Sequence, residues 1–325
     1  MSGSQRETNP FPYSDSNKRY YTYDYYLRRT YGGKCAKITL DAGFTCPNID
    51  GRCGTGGCIY CSDRGSGDFT ADARLSLTEQ YRIQTEKMRR KWDTDRFIPY
   101  LQAHTNTYAP TDRLRAVYEE TLALPGAVAM HIATRADCLG KEVVSLLREV
   151  GERIPLTVEL GLQSVSDETA RVIGRGHTFA AFLSGYEELR RDAPNARVAI
   201  HLINGLPGES REQMLESVRQ VAALRPDEVK IHLLHVLKGT PLARLYERGE
   251  YCPMTKEEYV ETVAEQLAFL PPETVIGRLT GDGDADRLLA PLWSLKKVTV
   301  LNDIDKKLYE TGSFQGKLCN LHKNQ

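Results

Sequence analysis

The sequence predicts an α/β protein, a partial (β/α)6 barrel with N- and C-terminal extensions. Three observations carry that expectation. Strand-length apolar runs alternate with segments of helical periodicity, the pattern of parallel βαβ units. Five of the strand candidates share one parity, with polar and ionisable residues on one face and aliphatic residues on the other. A loop dense in cysteine and glycine follows the first strand directly.

The chain has 325 residues, with 43 Lys+Arg against 43 Asp+Glu. A formal charge of zero argues against strong non-specific binding to nucleic acid or membrane, though not against a local basic patch. No apolar run is long enough to span a bilayer, and the N-terminus lacks the apolar core of a signal peptide. The expectation is a cytoplasmic protein with no membrane association.

Residues 1–18 are polar and read as a disordered tail, residues 19–316 as one core domain with flanking extensions, and residues 317–325 as a second tail. Tyr20, Tyr21, Tyr23, Tyr25, Tyr26 and Tyr31 follow the first tail. They fit a helix packing its rings on the barrel, or a stacking platform for a substrate or cofactor base. Residues 37–43 read as the first strand. Residues 75–92 read as a long helix, with Lys87, Arg89, Arg90 and Lys91 near its end as a solvated face and dipole complement. Further strands are expected at 98–104, 127–135, 156–164, 197–205 and 228–236. Helices are expected at 113–124, 141–150, 179–191, 211–224 and 256–270. A seventh strand at 273–281 would close or extend the sheet.

Gln102, His104, His131, Arg135, Glu159, Gln163, His201, Lys230 and His232 share the polar face. Leu101, Met130, Ile132, Val158, Leu160, Leu162, Leu202, Ile231 and Leu233 share the other. The apolar face suits packing under helices. The polar face cannot form a dry core, because buried ionisable groups need partners. The barrel is therefore expected to enclose a wet or ligand-filled cavity.

The loop from Cys46 to Cys61 holds half of the eight cysteines in sixteen residues, with five Gly or Pro. Disulfides fit poorly with a chain that shows no sign of secretion. A zinc site is open, since Cys58 and Cys61 form a CxxC pair with two thiols upstream. A third reading is a 4Fe–4S cluster on Cys46, Cys58 and Cys61, which leaves one iron without a protein ligand. Cys53 is then a bystander.

The strand ends carry a more specific signal. In order they read QAHTNTYAP at 102–110, IATRADCL at 132–139, VELGLQS at 158–164, RGH at 175–177, HLINGLPGE at 201–209 and KIHLLHVLKGT at 230–240. With the CPN-x-DG…GGC-x-x-C loop, this order resembles the YhcC/YtqA-like family of radical S-adenosylmethionine (SAM) proteins over residues 19–316. The first gap in the cysteine motif is eleven residues, where the wider superfamily has CxxxCxxC. Ala136 stands where the family usually has Pro, and Gly174 where it usually has Asn. The core is similar to the radical SAM domain of the Elongator catalytic subunit. A counterpart of that subunit's acetyltransferase domain is not expected.

The resemblance implies a TIM-like barrel, a 4Fe–4S cluster on Cys46, Cys58 and Cys61, and SAM as cofactor. It places Thr105 and Asn106 at the SAM amino group, Glu159 and Gln163 at the ribose or methionine, and Arg175 at the carboxylate. Asn204 and Gly205 fall beside the adenine. His104, His201, Lys230 and His232 become substrate-pocket candidates. The implied activity is reductive cleavage of SAM to a 5′-deoxyadenosyl radical, with a one-electron donor such as flavodoxin or ferredoxin. The wobble uridine of tRNA is the substrate that the Elongator likeness suggests, with Arg28, Arg29, Arg89 and Arg90 as phosphate contacts. A small metabolite is the alternative, and a zinc-stabilised binding protein a third reading.

Overall fold

The computed structural model describes residues 9–319 except 66, 68, 69 and 282. Strands β1 (Ala36–Leu40), β2 (Phe97–Leu101), β3 (Met130–Thr134), β4 (Leu156–Gln163), β5 (Arg197–Asn204) and β6 (Glu228–Leu233) run in sequence order across one sheet. A short pair, β7 (Val236–Leu237) and β9 (Leu288–Ala290), is antiparallel. Strand β8 (Val275–Arg278) adds to β6, so the expected seventh strand extends the sheet and leaves β1 and β8 as its edges. Each neighbouring pair in the large sheet is parallel.

Parallel strands need crossovers. These are α2 (Leu77–Lys91), α3 (Thr111–Leu122), α4 (Lys141–Gly151), the short α5 (Asp167–Val172) with α6 (Phe179–Asp192), α7 (Arg211–Leu224), and α8 (Pro241–Glu247) with α9 (Lys256–Phe269). Local sequence fixes several starts. Ser76, Ser166, Thr178 and Thr240 accept from the amide three residues on, and Ser210 with Gln213 and Thr255 with Glu258 form full capping boxes. The aliphatic face of the sheet packs under these helices, with Leu101, Met130, Ile132, Val158, Leu160, Leu162, Leu202, Ile231 and Leu233 all in the main core. Each such side chain contributes about 1.5–3 kcal/mol on burial.

Helix α1 (Tyr23–Tyr31) closes the end of the barrel where the strands begin. The Tyr23 hydroxyl lies 3.3 Å from His131 Nε2 near the start of β3, and Arg197, first in β5, sits 4.3 Å from the Tyr26 ring. The tyrosines thus pack on the barrel, at the end opposite the cysteine loop. Helix α2 ends on the same side, with Arg89 over Phe97 at the start of β2. Arg28 is held by Asp15 and Asp24, and Arg89 by Asp95. These proposed phosphate contacts therefore lie remote from the cysteine loop, and two of them are already paired.

The two expected tails are described only in part. Residues 1–8 and 320–325 lie outside the described residues. Phe11 is buried, and Asn9 Nδ2 donates to the carbonyls of Ser16 and Lys18. Lys18 pairs with Asp305 on α10 (Lys297–Glu310). Leu318 donates its amide to Ala268 on α9. Residues 9–18 are thus tied down by burial of Phe11 and by turn chemistry that composition alone does not show.

Candidate active site

The cysteine loop stands at the carboxyl ends of the strands and is built from turns. Ile49 and Asp50 donate to Cys46 O, Cys53 to Pro47 O, Gly57 to Asn48 O, and Cys61 to Cys58 O. Gly51, Gly56 and Gly57 take φ of 93°, 82° and 79°, where a side chain would be strained. Asn48 is the latch. Buried to 1% exposure, it donates to Gly174 O (2.9 Å), to Arg175 O (2.7 Å) and towards Cys58 Sγ (3.4 Å). Gly174 has φ 68°, a conformation that Asn tolerates better than other residues, which accounts for the Gly/Asn exchange there.

Arg135, at the end of β3, grips Asp137 through two nitrogens (2.9 and 2.8 Å) and turns a third to within 3.8 Å of Cys46 Sγ. The Cys58 thiol is brought down to about 6. A hydrogen bond with Cys61 lowers it most, against the effect of burial, and Asn48 and Arg135 lower it further. Thiolates are the form that binds iron. Three thiols on one loop, with an amide facing Cys58 and a guanidinium facing Cys46, fit a cluster that takes one thiolate per iron. Among the described residues no group of three His, Cys, Asp or Glu is gathered closely enough to hold a metal ion. Sequence reasoning gave no role to Asn48 or Arg135. An Asn after Pro reads as a turn residue, and an Arg at a strand end as one more polar residue.

Several of the expected SAM contacts make hydrogen bonds within the chain. Arg175 is 2% exposed, and its guanidinium donates to the carbonyls of Leu162, Ser164 (2.5 Å) and His177. It braces the loop that Asn48 grips, and its donors are directed at backbone. Asn106 is fully buried and donates to the carbonyls of Leu101, Ala103 and Ala133. Thr105 is buried beside it, its amide donating to Thr45 O at the start of the cysteine loop. Asn204 exchanges two hydrogen bonds with Gln266. Gly205 packs against Met254 and Tyr251, and the Tyr251 hydroxyl donates to its carbonyl. Gln163 ends β4 at a register shift with φ 65°, a strained setting for a non-glycine residue.

Glu159 lies in mid-strand, buried to 1%, as the hub of the lumen. Oε1 accepts from Lys37 Nζ (2.8 Å) and His131 Nδ1 (2.6 Å). Oε2 accepts from the Tyr100 hydroxyl (2.7 Å), His201 Nε2 (2.9 Å) and Lys230 Nζ. Five strands thus converge on one carboxylate, which bears out the shared parity. Burial opposes its ionisation, but Lys230, Lys37 and the two imidazoles hold it well below the usual range. Burial and Lys37 bring His131 down to about 3, and burial and Lys230 bring His201 down to about 4, so both are neutral donors to Glu159. The lower lumen is therefore filled by the protein's own ion pairs, where a cavity was expected. His232 lies against His201, ring centroids 5.1 Å apart, and His104 (φ 58°) packs against Gly65 at the rim.

The model of the Radical SAM superfamily matches residues 48–221, and that of the Radical_SAM C-terminal domain matches 226–310. The uncharacterized protein YtqA of Bacillus subtilis is 46% identical over 311 residues, covering 96% of each chain. A tRNA uridine(34) acetyltransferase of Methanocaldococcus jannaschii is 30% identical over 158 residues, 48% of this chain and 28% of that protein. Among solved structures, the archaeal Elp3 of Methanocaldococcus infernus superposes with a TM-score of 0.65 at 20% identity, over 86% of this chain and 64% of that one, a likeness of fold. The cofactors of the superfamily are a 4Fe–4S cluster and SAM, and the thiol loop fits the first of them. The chain belongs to the radical SAM superfamily and, within it, to the YhcC/YtqA-like family.

Proposed function

We propose that this protein is an enzyme that reductively cleaves SAM at a cluster held by Cys46, Cys58 and Cys61, and that it acts on the wobble uridine of a tRNA. The observation that carries the first part is the latched loop of a radical SAM chain, with the Cys58 thiol facing Asn48 and the Cys46 thiol facing Arg135. When bound, the cluster supplies one electron to the SAM sulfonium, which yields methionine and a 5′-deoxyadenosyl radical. The chain's own residues prepare the place. Asn48 and Arg175 fix the loop, Arg135 offsets thiolate charge, and Gln163 with the rim histidine His104 offers polar contacts above the filled lumen. A one-electron donor such as flavodoxin or ferredoxin completes the reaction.

The tRNA part is supported by the relative named a tRNA uridine(34) acetyltransferase. A base must leave its stack to reach a buried site, which an anticodon loop permits at modest cost. Anaerobic reconstitution with iron and sulfide, reduction, and chromatography for 5′-deoxyadenosine and methionine test the first part. Mass spectrometry of tRNA nucleosides from a deletion strain tests the second. Cleavage of SAM with every modified uridine unchanged would move the substrate to a small metabolite. Stoichiometric zinc without iron would overturn both.

A further inference from the structure

The floor of the lumen has a chemical bias. Lys37 and Lys230 place two ammonium groups on Glu159. The other carboxylate, Glu228, is 4.0 Å from Lys230 Nζ, and burial pushes it towards its neutral form. Above Glu159 on its own strand comes Gly161, paired in register with His201, which is in turn paired with Lys230. The next pair inward is Ile203 with His232. Nε2 of His232 is buried with no hydrogen-bond partner among the described residues. Burial, then His201, Arg278 and Lys230, hold that ring neutral, so one of its two nitrogens carries a proton to donate. An unpaired buried nitrogen is costly unless a ligand completes it.

We propose that the lumen floor around His232 and Lys230 binds an anionic group of the substrate, a carboxylate or a phosphate. Such groups accept hydrogen bonds and offset positive charge, and this wall supplies both needs. The inference rests on the lumen being the substrate chamber of the radical chemistry proposed above, but its test does not use that chemistry.

The experiment is calorimetry on the anaerobically reconstituted holoprotein without SAM, with inorganic phosphate and malonate as probes. The expected result is one equivalent of one probe bound, with affinity about tenfold or more weaker in His232→Phe and in Lys230→Met. Preference for phosphate identifies a nucleotide-like group, and preference for malonate a carboxylic acid. Circular dichroism checks that the variants fold. If Lys230→Met does not, His232→Phe decides, since His232 lies outside the Glu159 hydrogen bonds. Neither probe binding, or both variants binding like wild type, overturns the proposal. SAM cleavage on the same samples separates the two ideas: cleavage without anion binding defeats only the floor, and anion binding without cleavage defeats only the radical reading.

Discussion

Arg175 spends its guanidinium on the chain itself, which changes what its removal would do. A SAM contact would lose cofactor affinity and leave stability intact. The observed bonds to Leu162, Ser164 and His177 carbonyls make it a brace for the loop held by Asn48. Arg175→Ala is expected to cost about 3–5 kcal/mol, because it strips a charged donor from buried acceptors. Arg175→Lys should recover little, since a point charge cannot span three carbonyls. Urea unfolding of the variants checks this; unchanged stability with lost SAM binding would restore the cofactor role. The buried imidazoles make a second prediction. Folding holds His131 at about 3, His201 at about 4 and His177 at about 4, each below its unfolded value of about 6.5. As pH falls below about 6.5, the unfolded chain takes up protons that the folded chain refuses. Stability therefore falls with pH, by about 1.4 kcal/mol per pH unit for each such histidine, down to about pH 4. Denaturation at pH 7, 6 and 5 measures the slope, and His131→Asn should make it shallower.

The elements carry their own lesson at Gln315. This side chain is fully buried and donates to the carbonyls of Pro271 and Thr274, while its carbonyl oxygen accepts from the Tyr21 amide. It staples the segment before α1 to the segment after α10, beside strand β8. Gln315→Ala is expected to cost about 2–4 kcal/mol, since it orphans several buried backbone groups. Hydrogen exchange should show loss of protection centred on Tyr21 and Ile276, whose amide donates to Tyr21 O; uniform loss across the sheet would argue against a local staple. Nothing in the sequence marks Gln315, because a staple is defined by three distant partners. The strand faces were legible for the opposite reason. Alternation is local, so residues such as His131, Glu159 and Lys230 could be assigned to one side before any contact was known. What alternation could not show was that they satisfy one another and leave little room below. Ends were harder still. Residues 98–104 read as strand, but β2 stops at Leu101 because Asn106 bonds back to Leu101, Ala103 and Ala133, and His104 turns to φ 58°.

Across the whole molecule, the two ends of the barrel are built on different terms. The end where the strands begin is closed by α1 and by ion pairs around Glu159, so its stability is its own. The other end carries the cysteine loop, held by Asn48, by the Ile59 amide on Ile173 O, by the Leu242 amide on Ile59 O and by Thr105 on Thr45 O. These bonds are made by backbone and amide groups and owe nothing to sulfur. The cluster should therefore be a guest of a folded loop. This differs from small metal domains, where the metal supplies the folding free energy. Cys46→Ala, Cys58→Ala and Cys61→Ala are each expected to abolish the iron–sulfur absorbance and the bound iron, whereas Cys53→Ala, on the exposed stretch of the loop, should retain both. The comparison for stability is the wild type stripped of iron, because a bound ligand raises apparent stability by mass action alone. Against that reference the three ligand variants should melt within a few degrees, about the shift that a loss of 1–2 kcal/mol produces in a chain of this size. A collapse of the fold in the ligand variants but not in Cys53→Ala would mean that the cluster holds the loop, and that Asn48 and Arg175 follow its lead.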